Sequence, residues 1–102
     1  MVYRVVEGPV FSNWLVALRD RSARQRIVSR IDRFRDGNPG DVRPVGQGVS
    51  EMRIDYGPGY RVYFMRIGDI VYLLLCGGDK GSQRRDIETA LRLAQELDDE
   101  TS

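Results

Sequence analysis

Seven consecutive residues, Ile70-Val71-Tyr72-Leu73-Leu74-Leu75-Cys76, are apolar at every position. Side chains alternate between the two faces of a strand, so this run has two apolar faces and predicts a central strand covered on both sides. It is also the longest apolar run in the chain and falls far short of the roughly 20 residues needed to cross a bilayer. With 102 residues in all, the flanking strands and the covering layers must come from one small domain.

The rest of the chain supplies both. Val2–Val6 is short and β-branched and reads as a strand, ended by Gly8-Pro9. A helix starts near Pro9, where proline suits a first turn, and puts Phe11, Trp14, Leu15 and Leu18 on one face, with Trp14 read as core packing. A second helix runs from about Ser22 to Asp36, with Ala23, Ile27, Ile31 and Phe34 as its buried stripe and arginines over the remaining surface. Asp36-Gly37-Asn38-Pro39-Gly40 stops it. The period then changes. Val42–Val45 is a candidate short strand; Val49–Asp55, Tyr60–Arg66 and Ile70–Cys76 form a meander with turns at Gly57-Pro58-Gly59 and Ile67-Gly68-Asp69, and Gly77-Gly78 ends its last strand. A final helix runs from about Ser82 to Leu97. The order β-α-α-β-β-β-α defines an α+β fold: an antiparallel meander packed against an N-terminal helical hairpin and a C-terminal helix. One domain over residues 1–97 and an acidic tail at 98–102 are expected.

Charge is distributed unevenly. The net formal charge is +1, but Gln95–Ser102 holds Glu96, Asp98, Asp99 and Glu100 and no base. Without that segment 16 bases face 11 acids, a net of +5, and fifteen of the bases are arginine, with Lys80 the single lysine. Guanidinium forks suit carboxylate and phosphate, so RNA and an acidic protein are both candidate partners. The chain contains no histidine and one cysteine, Cys76. That removes the usual general acid or base, excludes Ser–His and Cys–His nucleophile pairs, leaves no metal-binding spacing and rules out an internal disulfide. Gly46-Gln47-Gly48 and Gly57-Pro58-Gly59 are not phosphate loops, because no Lys-Ser/Thr follows either. The N-terminus lacks the apolar stretch of a signal peptide, and a cytoplasmic location is expected.

Alternation in the meander points to a site. Met52, Ile54 and Tyr56 share one face of their strand and Glu51, Arg53 and Asp55 the other; Tyr60, Val62 and Phe64 oppose Arg61, Tyr63 and Met65 in the same way. Burying the apolar sets together sets the register parity, and Arg53 and Arg61 then project from the same side of adjacent strands. Like charges so close need an anion between them. A phosphate is one candidate; the other is an ion-pair ladder with Glu51 and Asp55.

The ordered set Val45-Gly46-Gln47-Gly48-Val49-Ser50-Glu51-Met52-Arg53-Ile54, Gly57-Pro58-Gly59-Tyr60-Arg61-Val62-Tyr63-Phe64, Leu73-Leu74-Leu75-Cys76-Gly77-Gly78-Asp79-Lys80, Gln83 and Asp86-Ile87 resembles the HigB-like "addiction module killer protein" branch of the RelE/ParE toxins. Trp14-Leu15, Leu18, Asp20, Ala23-Arg24, Ile27, Arg30, Asp36-Gly37-Asn38 and Gly40-Asp41 fit the same pattern, so the resemblance spans nearly the whole chain. It implies a RelE-like fold and the toxin of a type II toxin–antitoxin system: a metal-independent endoribonuclease, without cofactor, that cuts mRNA on the ribosome and inhibits translation. The 2′-hydroxyl attacks the adjacent phosphate while basic side chains hold the developing charge. Arg61 matches the superfamily's strand arginine and would clamp the phosphate; Arg53 and Lys80 fall near further basic positions, Lys80 as proton donor to the leaving 5′-oxygen. Tyr63 or Tyr60 would stack a base, Tyr60 being the more core-like by parity. Some ribosome-dependent members carry a Tyr or His acid/base near the C-terminus. Here Gly81–Ile87 holds neither, and Gln83 and Asp86 are the polar candidates, with Asp79 or Ser82 as helix caps. The implied partners are a cognate antitoxin of helix-turn-helix type, the ribosome and mRNA, with no membrane. Two alternatives stand beside this reading: a ParE-like poison of DNA gyrase, and a decayed toxin that only binds its antitoxin.

Overall fold

The computed structural model describes residues 2–101. In chain order the elements are β1 (Arg4–Glu7), α1 (Pro9–Ala17), α2 (Arg21–Arg35), β2 (Val42–Gly46), β3 (Val49–Ile54), β4 (Tyr60–Arg66), β5 (Val71–Asp79), a 3-10 turn (Lys80–Ser82) and α3 (Gln83–Thr101). The expected α+β architecture is present. The candidate segment at Val42 is a full strand, so the sheet has five strands in the order β1-β5-β4-β3-β2. β1 runs parallel to β5, and the other neighbours are antiparallel.

Both faces of the sheet are covered, as the apolar run in β5 requires. The helical hairpin buries Phe11, Ala23, Ile27, Ile31 and Phe34 against Met52, Ile54, Tyr60, Val62, Phe64 and Leu74, with Trp14 packed on this cluster. α3 buries Ala90 and Ala94 against Val49, Tyr63, Met65, Leu75 and Cys76 on the opposite face. The anticipated α2 stripe is therefore the core stripe, and the meander parity holds. α1 starts at Gly8-Pro9, where Gly8 N–H donates to Leu74 O at 2.9 Å. An added Cβ at Gly8 would come within 2.8 Å of that same oxygen. Asp20 caps α2 by accepting from Ala23 N. Gly46, Gln47 and Gly48 all have positive φ (111°, 52° and 79°) and form the β2–β3 turn.

Two expectations need correction. Gly77-Gly78 does not end the strand; β5 continues to Asp79. Glycine is required there because the helices on both sides press against the backbone. A Cβ on Gly77 would collide with the Trp14 indole, and one on Gly78 with the Asp86 carboxylate and, at 2.8 Å, with Ser82 Oγ. The register also slips between Tyr63 and Phe64: Tyr63 pairs with Cys76 but Phe64 with Leu74, leaving Leu75 as a bulge. The bulge lets Leu75 and Cys76 both face α3 and reverses the parity of everything after them. Gly78, the cross-strand partner of Arg61, thereby comes to the α3 face. The last helix also runs past its expected end at Leu97: α3 continues through Asp98, Asp99 and Glu100 to Thr101.

Candidate functional site

Arg53 and Arg61 are direct cross-strand partners on β3 and β4. Their side chains share the α3 face of the sheet with Tyr63. Lys80 opens the 3-10 turn that links β5 to α3; Asp79 caps this turn by accepting from Gly81 N and Ser82 N, while Ser82 Oγ accepts from Asp79 N. The reading of Asp79 and Ser82 as caps holds. The outcome is that Arg53, Arg61 and Lys80 line a single open depression of about 270 Å³, together with Asp41, Ile54, Asp55 and Gly59. A larger depression of about 700 Å³ lies between α1 and α2 and offers no comparable convergence of cations.

The ion between the two arginines is Glu51. Its Oε1 accepts from Arg53 Nε at 2.9 Å and lies 3.6 Å from Arg61 Nη1. Its Oε2 accepts from Tyr63 Oη at 3.2 Å and from Gln83 Nε2 at 2.8 Å. Glu51 is 1% exposed. Burial alone would push its carboxyl up, but the hydrogen bonds from Arg53, Gln83 and Tyr63 and the charge of Arg61 outweigh it and hold the pKa below the usual carboxylate value. The same hydrogen bond raises the pKa of Arg53. So a bare guanidinium pair is not what the fold builds. One carboxylate serves two arginines directly, and with Lys80, Asp41 and Asp55 in the same lining three cations meet three carboxylates. Asp55 takes no part in a ladder; it makes no ion pair within 4.0 Å among the described residues. Arg61 is 11% exposed, and its buried Nε–H finds no acceptor among the described residues. A buried donor without an acceptor is costly.

The other candidates separate. Gln83 acts through Glu51. Tyr63 is fully buried and spends its hydroxyl on Glu51; burial first, then the Glu51 charge, drives its pKa far up. Neither base stacking nor proton transfer suits it, and Tyr60, 8% exposed, is core as its parity indicated. Asp86 accepts from Ser82 Oγ beside Gly78 and is not among the residues lining the depression. Cys76 is buried, its thiol pushed up to about 12, and is unreactive. Among the described residues no three His, Cys, Asp or Glu side chains converge to hold a metal ion. Sequence reasoning missed that Glu51 collects three hydrogen-bond donors beside the Arg61 charge and that Asp41 lines the site. The one available signal for Glu51 was an acid sharing a strand face with Arg53 and lying diagonally across the strand pair from Arg61.

Comparison with known proteins agrees with this architecture. A protein of Haemophilus influenzae without an assigned function is 47% identical over 97 residues, covering 95% of this chain and 98% of its own. The structure of the Escherichia coli toxin RelE, a double arginine-to-alanine mutant in the free state, superposes with a TM-score of 0.72 over 90% of this chain and 97% of its own, at 11% identity. That likeness establishes a shared RelE-like fold. Residues 13–97 match the family described as phage-derived protein Gp49-like (DUF891), and the chain belongs to that family.

Proposed function

We propose that this protein is the toxin of a type II toxin–antitoxin system, of the HigB-like branch of the RelE/ParE toxins, and that it cleaves mRNA on the ribosome in the cytoplasm. The observation that carries the reading is the convergence of Arg53, Arg61 and Lys80 on one depression. In this reading the 2′-hydroxyl attacks the adjacent phosphorus, a 2′,3′-cyclic phosphate closes, and the bond to the 5′-oxygen breaks. Arg61 and Arg53 hold the non-bridging oxygens, where negative charge builds up, and Glu51 keeps both forks aimed before substrate arrives. Lys80 gives a proton to the leaving 5′-oxygen. The 2′-hydroxyl proton passes to solvent or to Asp41 or Asp55, the carboxylates of the same wall. A helix-turn-helix antitoxin covers the site when the toxin is held inactive.

Induction of the intact chain without its antitoxin, with mapping of mRNA 5′ ends, tests this. Arg61→Ala should lower cleavage by about 100- to 1000-fold, the loss typical of removing one preorganised donor to a developing oxyanion, while circular dichroism shows a folded chain. Full toxicity in that variant overturns the reading. DNA damage with intact mRNA would mark a gyrase poison, and harmless expression of the unaltered chain a decayed toxin.

A further inference from the structure

A second basic depression, of about 320 Å³, lies beside the first and is lined by Arg26, Ser29, Arg30, Arg33, Ile54, Asp55 and Tyr56. The two share Ile54 and Asp55, the last residue of β3 and the one after it. Arg30 ties them together: its Nη1 donates to Arg53 O at 2.6 Å and its Nη2 to Pro39 O at 3.1 Å. Burial first, and then the charge of Arg33, lower its pKa. The guanidinium of Arg26 lies over the Tyr56 ring, 4.4 Å from its centroid. None of Arg26, Arg30 and Arg33 makes an ion pair within 4.0 Å among the described residues.

This arrangement is costly for a bare surface. Three arginines crowd one concavity with a single carboxylate in its wall, although Arg35 of the same helix does find a partner, Asp32, at 3.0 Å. Arg30 is held rigidly by two carbonyls, and Arg26 is held flat by an aromatic ring, which fixes a fork that would otherwise sample many rotamers. Preorganised, uncompensated guanidinium groups suit an anion with several oxygens. The pocket continues from the first across the end of β3, so a polyanion seated in one can reach the other.

We infer that the α2 pocket is a second phosphate subsite, which takes a neighbouring phosphodiester of the same single RNA strand whose scissile phosphate lies between Arg53 and Arg61. The assignment rests on the ribonuclease reading above. Arg26 and Arg33 bind the phosphate oxygens, and Arg30 couples the two subsites through β3.

The test uses the full chain and single-stranded RNA: a dinucleotide with one phosphodiester and an octanucleotide, both 2′-O-methylated at every linkage to prevent cleavage, with binding followed by fluorescence anisotropy across a salt series. The paired substitution Arg26→Gln with Arg33→Gln should weaken octanucleotide binding about tenfold or more and leave the dinucleotide unaffected. The slope of log affinity against log salt should fall by about 0.7, the value for one phosphate of a single strand that is no longer neutralised. Arg26→Lys with Arg33→Lys should restore most of the slope, which separates charge from folding. Unchanged octanucleotide affinity and slope in the glutamine pair overturn the inference, as does failure of the unaltered chain to bind the octanucleotide. Intact RNA affinity with lost binding of the antitoxin would reassign the pocket to an acidic protein segment and overturn it too. The ribonuclease reading is judged separately, by the cleavage maps of Arg61→Ala.

Discussion

Glu51 shows how much a single side chain can organise. Its two oxygens receive Arg53, Tyr63 and Gln83, with Arg61 at 3.6 Å, so three different elements are joined at one buried carboxylate. A buried ion pair is weak evidence of net stability, but removing one member leaves the rest uncompensated. Glu51→Gln keeps the shape and an acceptor while losing the charge. Its cost at neutral pH should be about 1.5–3 kcal/mol, the range for hydrogen bonds to charged groups, and toward the lower end because Arg53 is partly exposed. The pH dependence carries a definite sign. The folded carboxyl lies below the ordinary 4.5 of the unfolded chain. Above 4.5 both states are ionised and the contribution is complete; as pH falls through the folded value, the unfolded state has already bound a proton and the contribution is lost. Urea unfolding of both proteins from pH 7 to pH 3 should therefore show the gap narrowing on the acid side. A gap that stays constant would mean that Glu51 contributes through packing and not through charge.

At the scale of elements, β5 decides where the site lies. Its bulge at Leu75 reverses the strand's parity, and its two glycines admit Trp14 on one face and Asp86 on the other. The two contacts differ in hardness. Trp14 is held by Phe11 and Tyr60, at ring separations of 5.9 and 6.2 Å, whereas Asp86 can rotate away if it gives up Ser82. Gly77→Ala should cost about 3 kcal/mol, the upper part of the usual overpacking range, and Gly78→Ala about 1 kcal/mol. Both are read from urea midpoints at an unchanged m-value, and the reverse order would sink this account of β5. The helices and the meander were legible from periodicity because each presents one apolar face per turn or per pleat. Arg53 and Arg61 were legible as partners for the same reason. The bulge was not, since a run that is apolar at every position looks the same in either parity. The glycine pair resembles a strand end when the helices pressing on it are unknown, and the turn at Lys80 depends on the same tertiary packing. Glu51 was recognised as a possible counter-charge to the arginines, but not as the acceptor of Gln83, which comes from an element 32 residues away.

For the molecule as a whole, a net charge of +1 conceals a separation along α3. The helix begins with Gln83 beside the site and carries Glu96, Asp98, Asp99 and Glu100 toward its far end. At a rise of 1.5 Å per residue these carboxylates lie roughly 20–26 Å along the axis from its start, more than two Debye lengths at physiological salt. They cannot neutralise the site. Among the described residues lining the two joined depressions, Arg26, Arg30, Arg33, Arg53, Arg61 and Lys80 face Asp41, Asp55 and the buried Glu51. Self-repulsion of this kind weakens a small fold and is relieved by an acidic partner, which binds the folded chain and not the unfolded one. The protein encoded by the neighbouring reading frame, expected to be a small helix-turn-helix antitoxin, should therefore raise the melting temperature in a concentration-dependent way. At a hundredfold excess over Kd the gain is about 2.7 kcal/mol. For a domain of this size that corresponds to roughly 10–20 °C, at about 4–8 °C per kcal/mol. The shift should shrink as salt is raised, because much of the attraction is between arginine and carboxylate at a wet surface. A saturating partner that leaves the melting temperature unchanged would show that this charge arrangement was not built to be covered by that protein.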